Sequence, residues 1–156
     1  MHLLRVLDNQ LIEAEIDSFQ SSEFSNFTKS ARFDFDWGIE LNHQVYKLFV
    51  KESNLILGLI SLIDVSEELR IHVNLIEASK ENVGQKKEYH KIAGCLLAFS
   101  AQQAFLRGYG GFVSLRPKTL LIDHYCNTYG FQQYGRYLGI EGNSAHFLIQ
   151  QYLKND

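Results

Sequence analysis

The sequence predicts an α/β (α+β) fold in which a mixed, mostly antiparallel sheet carries helices on both faces. Three strand-like segments, 44–51, 55–65 and 69–78, follow one another with only short turns between them. Such spacing is typical of an antiparallel meander. A long apolar helix then leads to a short strand, and a strand–helix–strand unit of this kind brings two parallel strands into the same sheet.

The first thirty residues carry weaker patterns. Asp8 precedes a segment, 9–19, whose apolar residues are spaced as on one face of a helix, so we expect Asp8 to cap a helix there. Residues 20–31 are polar and rich in serine, and we expect a short helix or a loop. Within the meander, Gly58 is a candidate for a β-bulge.

The second half of the chain is predicted to alternate helices and strands. Residues 89–107 are apolar on almost every side, which is typical of a deeply buried helix, and Gly108 suits its C-terminal end. The remaining predicted elements are a strand over 111–116, a helix over 120–129 capped by Thr119 and ended by Gly130, a strand over 131–140, and a helix over 144–153.

Length and composition indicate one globular domain spanning 1–156. Hydrophobic residues make up 46% and aromatic residues 13%, and the only proline is Pro117, so no disordered linker is expected. We expect no transmembrane helix and no membrane partner, because no apolar run approaches the necessary length. The first residues do not resemble a signal peptide, and Cys95 and Cys126 make neither a disulfide framework nor a metal site. The expected compartment is the cytoplasm.

The net charge of −3 argues against a nucleic-acid partner. Its distribution is uneven, however, because residues 1–44 are mostly acidic and residues 86–118 mostly basic. The basic side chains of that second range are Lys86, Lys87, Lys91, Arg107, Arg116 and Lys118, against Glu88 alone. An acidic N-terminal part and a basic central part of the sequence indicate a local anion site. For any single lysine, a position on the solvated surface remains the simpler explanation.

The start of the long helix is the candidate for that anion site. A loop that leaves a strand and opens a helix presents unpaired backbone N–H groups at the positive end of the helix dipole. Lys86, Lys87 and Lys91 lie in this turn with Tyr89 and His90. Gly84 is not followed by the Gly-Lys-Ser/Thr of a P-loop, and the three glycines of a dinucleotide fingerprint are absent. The sequence therefore predicts a diphosphate site of another kind, the alternative being an ordinary solvated helix start.

The order of elements over roughly 40–141 resembles that of the GNAT superfamily of acyl-CoA-dependent N-acetyltransferases. Several short runs resemble a subgroup of small bacterial GNAT-like proteins. They are Asn82-Val83-Gly84, Lys87-Glu88-Tyr89, Ile92-Ala93-Gly94, Gly111-Phe112-Val113, Lys118-Thr119, Leu121-Ile122 and His124-Tyr125. The superfamily motif Gln/Arg-x-x-Gly-x-Gly/Ala falls on Glu88, Lys91 and Ala93, of which only Ala93 matches.

The resemblance implies acetyl-CoA as co-substrate. It implies that the backbone of Ile76 and Ala78 pairs with the pantetheine arm, where two strands of the sheet splay apart. It also implies that the diphosphate is held by the start of the long helix, with Lys87 supplying charge. The residues implied there are Lys87, Glu88, Tyr89, His90, Lys91, Ile92 and Ala93, with Thr119 as a further cofactor contact.

Acetyl transfer to an amine requires a base for the amine proton and an acid for the leaving thiolate. Glu77 is the candidate base, because it continues the face of Ile71 and Val73 where an apolar residue is expected. His72 and Asn74, on the opposite face, are weaker candidates.

The resemblance implies a tyrosine as the acid, and Tyr125 is the candidate. Counted back from Gly130, however, the tyrosine position falls on Cys126, one residue or about 100° away on a helix. The sequence therefore leaves open whether the acid is Tyr125, Cys126 or neither. His124 on the same helix edge is a weaker candidate that could order a substrate.

The expected activity is acetyl transfer from acetyl-CoA to a primary amine by direct attack in a ternary complex. The alternative is a catalytically silent CoA-binding or protein-interaction module on the same fold. The acceptor is expected to be a small-molecule or peptide amine. Acidic residues among aromatic ones, Asp34, Asp36 and Glu40, suggest that it is cationic. A homodimer is left open.

Overall fold

The computed structural model describes residues 1–28 and 31–154, apart from the side chains of Asn26 and Thr28. Within these ranges the chain forms one eight-stranded sheet in the order β1-β2-β3-β4-β5-β6-β8-β7. The strands are β1 (His2–Arg5), β2 (Gln10–Ser18), β3 (Gln44–Val50), β4 (Ile56–Val65), β5 (Arg70–Ala78), β6 (Val113–Leu115), β7 (Gln132–Tyr134) and β8 (Tyr137–Ile140). Only β5 and β6 run parallel among these neighbours. The mixed, mostly antiparallel sheet and the meander are therefore confirmed.

Helices cover both faces of this sheet. The α-helices are α1 (Phe24–Thr28), α2 (Ile92–Leu106), α3 (Ile122–His124) and α4 (Gly142–Leu153). α2 and α4 pack on one face, over the larger hydrophobic core. The N-terminal segment, residues 19–28 and 31–41, packs on the other face around Trp37, where a second cluster is formed with Phe19, Val45 and Leu59. As predicted, α2 is deeply buried, and Gly108 follows it in the left-handed conformation (φ 79°).

The predicted helix over 9–19 is wrong, because these residues form β2 and pair with both β1 and β3. Asp8 caps no helix. Its carboxylate accepts hydrogen bonds from the Arg5 side chain (2.6 and 3.0 Å) within the turn that joins β1 to β2. Residues 20–31 contain a 3-10 helix at Ser21–Glu23 followed by α1, and residues 29 and 30 of that prediction lie outside the described ranges.

The predictions for the last forty residues need two corrections. The strand expected over 131–140 is a hairpin, β7 and β8, because Gly135 adopts φ 61° and turns the chain back. Thr119 does not cap the helix after β6, since Lys118 is the N-cap and no side chain caps it. That helix begins as a 3-10 turn at Thr119–Leu121, continues as α3, and ends as a π-helix at Tyr125–Tyr129 before Gly130 (φ 85°).

Candidate active site

A β-bulge in β5 creates the site's most distinctive feature. The pairing with β4 passes from Leu62↔Val73 to Ser61↔Leu75, so Asn74 is an extra residue in β5. An extra residue reverses the direction of all backbone groups that follow it. The Ile71 amide donates to Phe112 O on the β6 side (3.0 Å), whereas the Ser79 amide donates to Leu57 O on the β4 side (2.9 Å).

Because backbone groups alternate along a strand, the Ser79 bond directs those of Ile76 and Ala78 away from β4, toward the β6 side. β6 pairs with β5 only from Ile71 to Val73. Within the described part of the chain, no strand pairs with β5 on that side beyond Val73. The second half of β5 therefore presents the N–H and C=O groups of Ile76 and Ala78 at an open edge.

The start of α2 supplies a second set of unused donors. The first backbone bond of the helix runs from Cys95 N to Lys91 O (3.0 Å), so Lys91 is its N-cap. The amides of Lys91, Ile92, Ala93 and Gly94 have no acceptor anywhere in residues 1–28 and 31–154. Successive free amides at a helix start favour an anion.

The amides just before this helix start are used internally. Those of Glu88, Tyr89 and His90 donate to Glu81 O (3.2 Å), Asn82 Oδ1 (2.7 Å) and Leu4 O (3.1 Å), respectively. Three amides of the predicted stretch 87–93 are thus engaged, and the run of consecutive free amides that could bind a diphosphate is 91–94. The side chains of Lys87, Glu88 and His90 are exposed around it, whereas Tyr89 is buried.

Asn82 organises this loop, a role that the sequence did not reveal. Its side chain is 3% exposed, donates to Ser79 Oγ (2.9 Å) at the end of β5, and accepts from the Tyr89 amide. Asn82 therefore fixes the distance between the open strand edge and the helix start. The run Asn82-Val83-Gly84 was the available signal.

Lys91 adopts φ 76° and ψ 13°, the left-handed conformation that glycine adopts readily and other residues rarely. The superfamily motif, aligned on this sequence, has glycine at the position of Lys91. The observed backbone conformation agrees with that alignment, because glycine would adopt it without strain.

Gly58 brings the helix start and the strand edge together. A Cβ at Gly58 would lie 2.7 Å from Ile92 Cγ2 and 3.1 Å from Leu96 Cδ1. Gly58 also pairs with Ala78 across β4 and β5, beside the bulged residue Leu57 of β4. A side chain at residue 58 would therefore crowd the first turns of α2 where they pack over the sheet beside the open half of β5.

Glu77 does not continue the face of Ile71 and Val73, and that prediction is wrong because the bulge at Asn74 turns it to the other face. There its carboxylate accepts three hydrogen bonds from the N-terminal segment. The donors are the Asp34 amide (2.6 Å to Oε2), the Phe35 amide (3.3 Å to Oε1) and Trp37 Nε1 (2.8 Å to Oε1). Glu77 therefore ties the loop 34–37 to the strand that carries Ile76 and Ala78.

The weaker candidates, His72 and Asn74, share this face with Glu77 and are engaged by other residues. Asn74 donates to Glu40 Oε1 (2.7 Å), and His72 Nδ1 lies 3.0 Å from Ser114 Oγ. Burial, and then the neighbouring Arg70, lower the pKa of His72 below its usual value.

The π-helix changes the direction of Tyr125. A π-helix contains about one more residue per turn than the α-helix used for counting back from Gly130, so a count along an ideal α-helix does not give the direction of Tyr125. The Gly130 amide bonds to both Cys126 O and Tyr125 O. Tyr125 packs against Phe131 (ring centroids 5.9 Å apart), and its hydroxyl has no hydrogen-bond partner among the described residues. Burial raises the pKa of Tyr125 above its usual 10.

The structure brings some of the predicted residues together and separates others. Ile76 and Ala78 lie on the open half of β5, and α2, which begins at Lys91, Ile92 and Ala93, packs against that strand. Thr119 and His124 are exposed beyond β6, and no described contact links Tyr125 to Glu77. Of the two cysteines, Cys126 lies next to Tyr125 in the π-helix, whereas Cys95 lies under α4. Burial raises the pKa of the Cys95 thiol to about 12.

Comparison with solved structures defines the class of fold. The putative streptothricin acetyltransferase from Bacillus anthracis str. Ames, in complex with acetyl coenzyme A, matches 85% of this chain and 100% of its own, with a TM-score of 0.64 and 13% identity. The ribosomal-protein-S18-alanine N-acetyltransferase from Escherichia coli matches 83% and 94%, respectively, with a TM-score of 0.59 and 12% identity. A GNAT family acetyltransferase from Brucella melitensis, in complex with acetyl-CoA, matches 83% and 88%, with a TM-score of 0.56 and 13% identity.

The chain therefore has the GNAT fold. Neither protein-family profiles nor characterised protein sequences match it. Among the described residues, no helix is long and apolar enough to cross a membrane.

Proposed function

We propose that the protein transfers an acetyl group from acetyl-CoA to a primary amine by direct attack in a ternary complex. The observation that carries this proposal is the open edge of β5 beside the free amides of 91–94. Backbone groups of Ile76 and Ala78 would bind the amides of the pantetheine arm, and the helix start would bind the diphosphate. Two of the structural neighbours described above hold acetyl-CoA, which supports the same co-substrate here.

In the proposed reaction, the amine nitrogen attacks the thioester carbonyl, the C–S bond breaks, and the departing thiolate takes a proton. Tyr125 is the proposed acid, because its hydroxyl has no partner among the described residues and stays protonated at neutral pH. The proton lost by the amine goes to a base, for which we propose Glu77. A carboxylate offers about four acceptor sites. Three are filled at Glu77, so one site, on Oε2, remains for an amine N–H.

The acceptor is proposed to be a small-molecule or peptide amine of cationic character. The neighbours support both sizes of acceptor, since one is a putative streptothricin acetyltransferase and another a ribosomal-protein-S18-alanine N-acetyltransferase. The acidic, aromatic N-terminal segment that Glu77 holds supports the positive charge.

A second candidate function is a CoA-binding module without chemistry. Two observations favour it, namely the lysine in place of glycine at Lys91 and the extensive bonding of the Glu77 carboxylate. Both functions require acetyl-CoA to bind, and only the first requires turnover.

A thermal-shift titration followed by a turnover assay tests both candidates. Acetyl-CoA at about 100 times its Kd should stabilise the fold by about 2.7 kcal/mol. Adenosine 3′,5′-bisphosphate, which lacks the diphosphate and pantetheine, should shift the melting temperature much less. Release of free thiol with a panel of amines supports the transferase, and a shift without turnover on a broad panel supports the silent module. No shift with acetyl-CoA would overturn both.

A further inference from the structure

An aromatic pocket lies in the N-terminal segment, beside the loop that Glu77 holds. Its volume is about 200 Å³. We use the name aromatic pocket for the space lined by Phe24, Phe27, Phe33, Phe35, Trp37 and Asp36. The Phe27 and Phe33 rings lie 4.8 Å apart at a tilt of 40°, so two of the walls meet at an angle.

Asp36 gives this pocket a negative charge that no cation of the described residues compensates. Its Oδ1 accepts the Gly38 amide (3.1 Å), and no lysine or arginine of the described ranges lies within ion-pair distance of its carboxylate. Of the neighbouring acids, Asp34 pairs with Lys80 (3.2 Å), and Glu40 accepts a hydrogen bond from Asn74.

Arg32, a described cation beside these rings, is also paired. The Arg32 guanidinium lies 5.9 Å from the centre of the Phe33 ring, but Arg32 is bound to the Glu81 carboxylate. Aromatic faces attract cations, and a nearby carboxylate adds to that attraction. The pocket therefore fits an organic cation better than a neutral or anionic group.

The pocket is joined to the proposed reaction site through two shared residues. Phe35 and Trp37 line the pocket and also donate to the Glu77 carboxylate. A ligand in the pocket would thus touch the loop that adjoins the open half of β5.

A cationic nitrogen bound in this pocket would differ from the nitrogen that reacts. An attacking amine must lose a proton, whereas aromatic faces and a carboxylate stabilise the protonated, charged form. We propose that the aromatic pocket binds a second, non-reacting ammonium group of the acceptor, so that the acceptor is an organic molecule with two nitrogen centres. This substrate class rests on the proposed transferase function, while the cation site itself does not.

Trp37, the only tryptophan of the chain, reports directly on this pocket. We would titrate the protein with choline, without acetyl-CoA, and follow tryptophan fluorescence. Choline carries a quaternary ammonium that cannot be acetylated, and 3,3-dimethyl-1-butanol is its uncharged isostere. We expect a saturable change with choline and at least about fivefold weaker binding of the alcohol, as loss of a cation–π contact implies.

Matched variants separate the contribution of the Asp36 charge to choline binding from that of the aromatic rings. Asp36→Asn keeps an oxygen for the Gly38 amide and should weaken choline binding about two- to fivefold, as should Phe35→Leu. Asp17→Asn is the control, because Asp17 is also an exposed carboxylate that accepts one backbone amide, from Ser18 (2.8 Å). Each variant's melting temperature confirms that it folds.

The cation site is refuted if choline gives no saturable change, if the neutral alcohol binds equally well, or if Asp36→Asn binds choline like the wild type. These outcomes are independent of acetyl-CoA. Loss of choline binding with intact acetyl-CoA turnover would overturn the substrate class and leave the transferase. Choline binding without acetyl-CoA binding would overturn the transferase, together with the acceptor assignment, and support the cation site alone.

Discussion

Lys91 provides a sharp test of how the helix start is built. We predict that Lys91→Gly melts at a higher temperature than Lys91→Ala, the reverse of the usual effect of these residues. The reason is the backbone conformation, φ 76° and ψ 13°, which is nearly that of Gly130 (φ 85°, ψ 18°) in the same chain.

The size of the effect follows from two opposing terms. A residue with a Cβ costs about 1–2 kcal/mol in the left-handed region. Glycine costs about 0.5–1 kcal/mol through its greater freedom in the unfolded chain. Lys91→Gly should therefore be more stable than Lys91→Ala by about 0.5–1 kcal/mol, which corresponds to about 1–4 °C in melting temperature for a chain of this size.

The comparison of the two variants removes the effect of charge. Both lose the same ammonium group from the positive end of α2, so their difference reports backbone strain alone. Thermal unfolding followed by circular dichroism measures it. Equal melting temperatures, or a more stable alanine variant, would refute the assignment of a strained glycine-like position at Lys91.

Three further predictions concern the proposed chemistry. Tyr125→Phe should lower kcat at least about 100-fold without weakening acetyl-CoA binding, whereas Tyr129→Phe should not. Since the pKa of Tyr125 is raised, its phenol is protonated below pH 10, so wild-type kcat should show no falling limb below that pH. Gly58→Ala should destabilise the fold by about 1–3 kcal/mol and weaken acetyl-CoA binding, because the new Cβ would lie 2.7 Å from Ile92 Cγ2; calorimetry measures both effects. Glu77→Gln removes the proposed base and leaves an amide N–H without an acceptor, so it should lower kcat and raise the acceptor's KM while acetyl-CoA affinity is unchanged. An unaltered kcat would count against the base, and an unaltered KM against the loop-holding role.

The N-terminal error shows how two patterns compete in one sequence. Residues 10–18 carry spacing compatible with a helix, but Ile12, Ala14 and Ile16 also alternate with acidic residues, which is the pattern of a half-buried strand. Asp8 and Asn9 are equally good turn residues, and Asn9 adopts φ 60° between β1 and β2. The sequence did not decide between the two because strand pairing with β3 is a long-range contact.

The candidate active site depends on two local irregularities that the sequence pattern did not predict. The bulge at Asn74 turns Glu77 to the face of the N-terminal segment and directs Ile76 and Ala78 to the open edge. The π-helix changes the direction of Tyr125. Each inserts one residue into a regular element, so a prediction that counts residues along ideal strands or helices assigns the following side chains to the wrong face. The meander and the buried helix, by contrast, rest on regular periodicity and were predicted.

A crystal structure of the protein with acetyl-CoA tests the central claim most directly. The account predicts diphosphate oxygens about 3 Å from the amides of Lys91 to Gly94, and pantetheine amides bonded to the backbone of Ile76 and Ala78. A diphosphate bound elsewhere on the surface, with these amides still unbonded and the open edge of β5 empty, would contradict it.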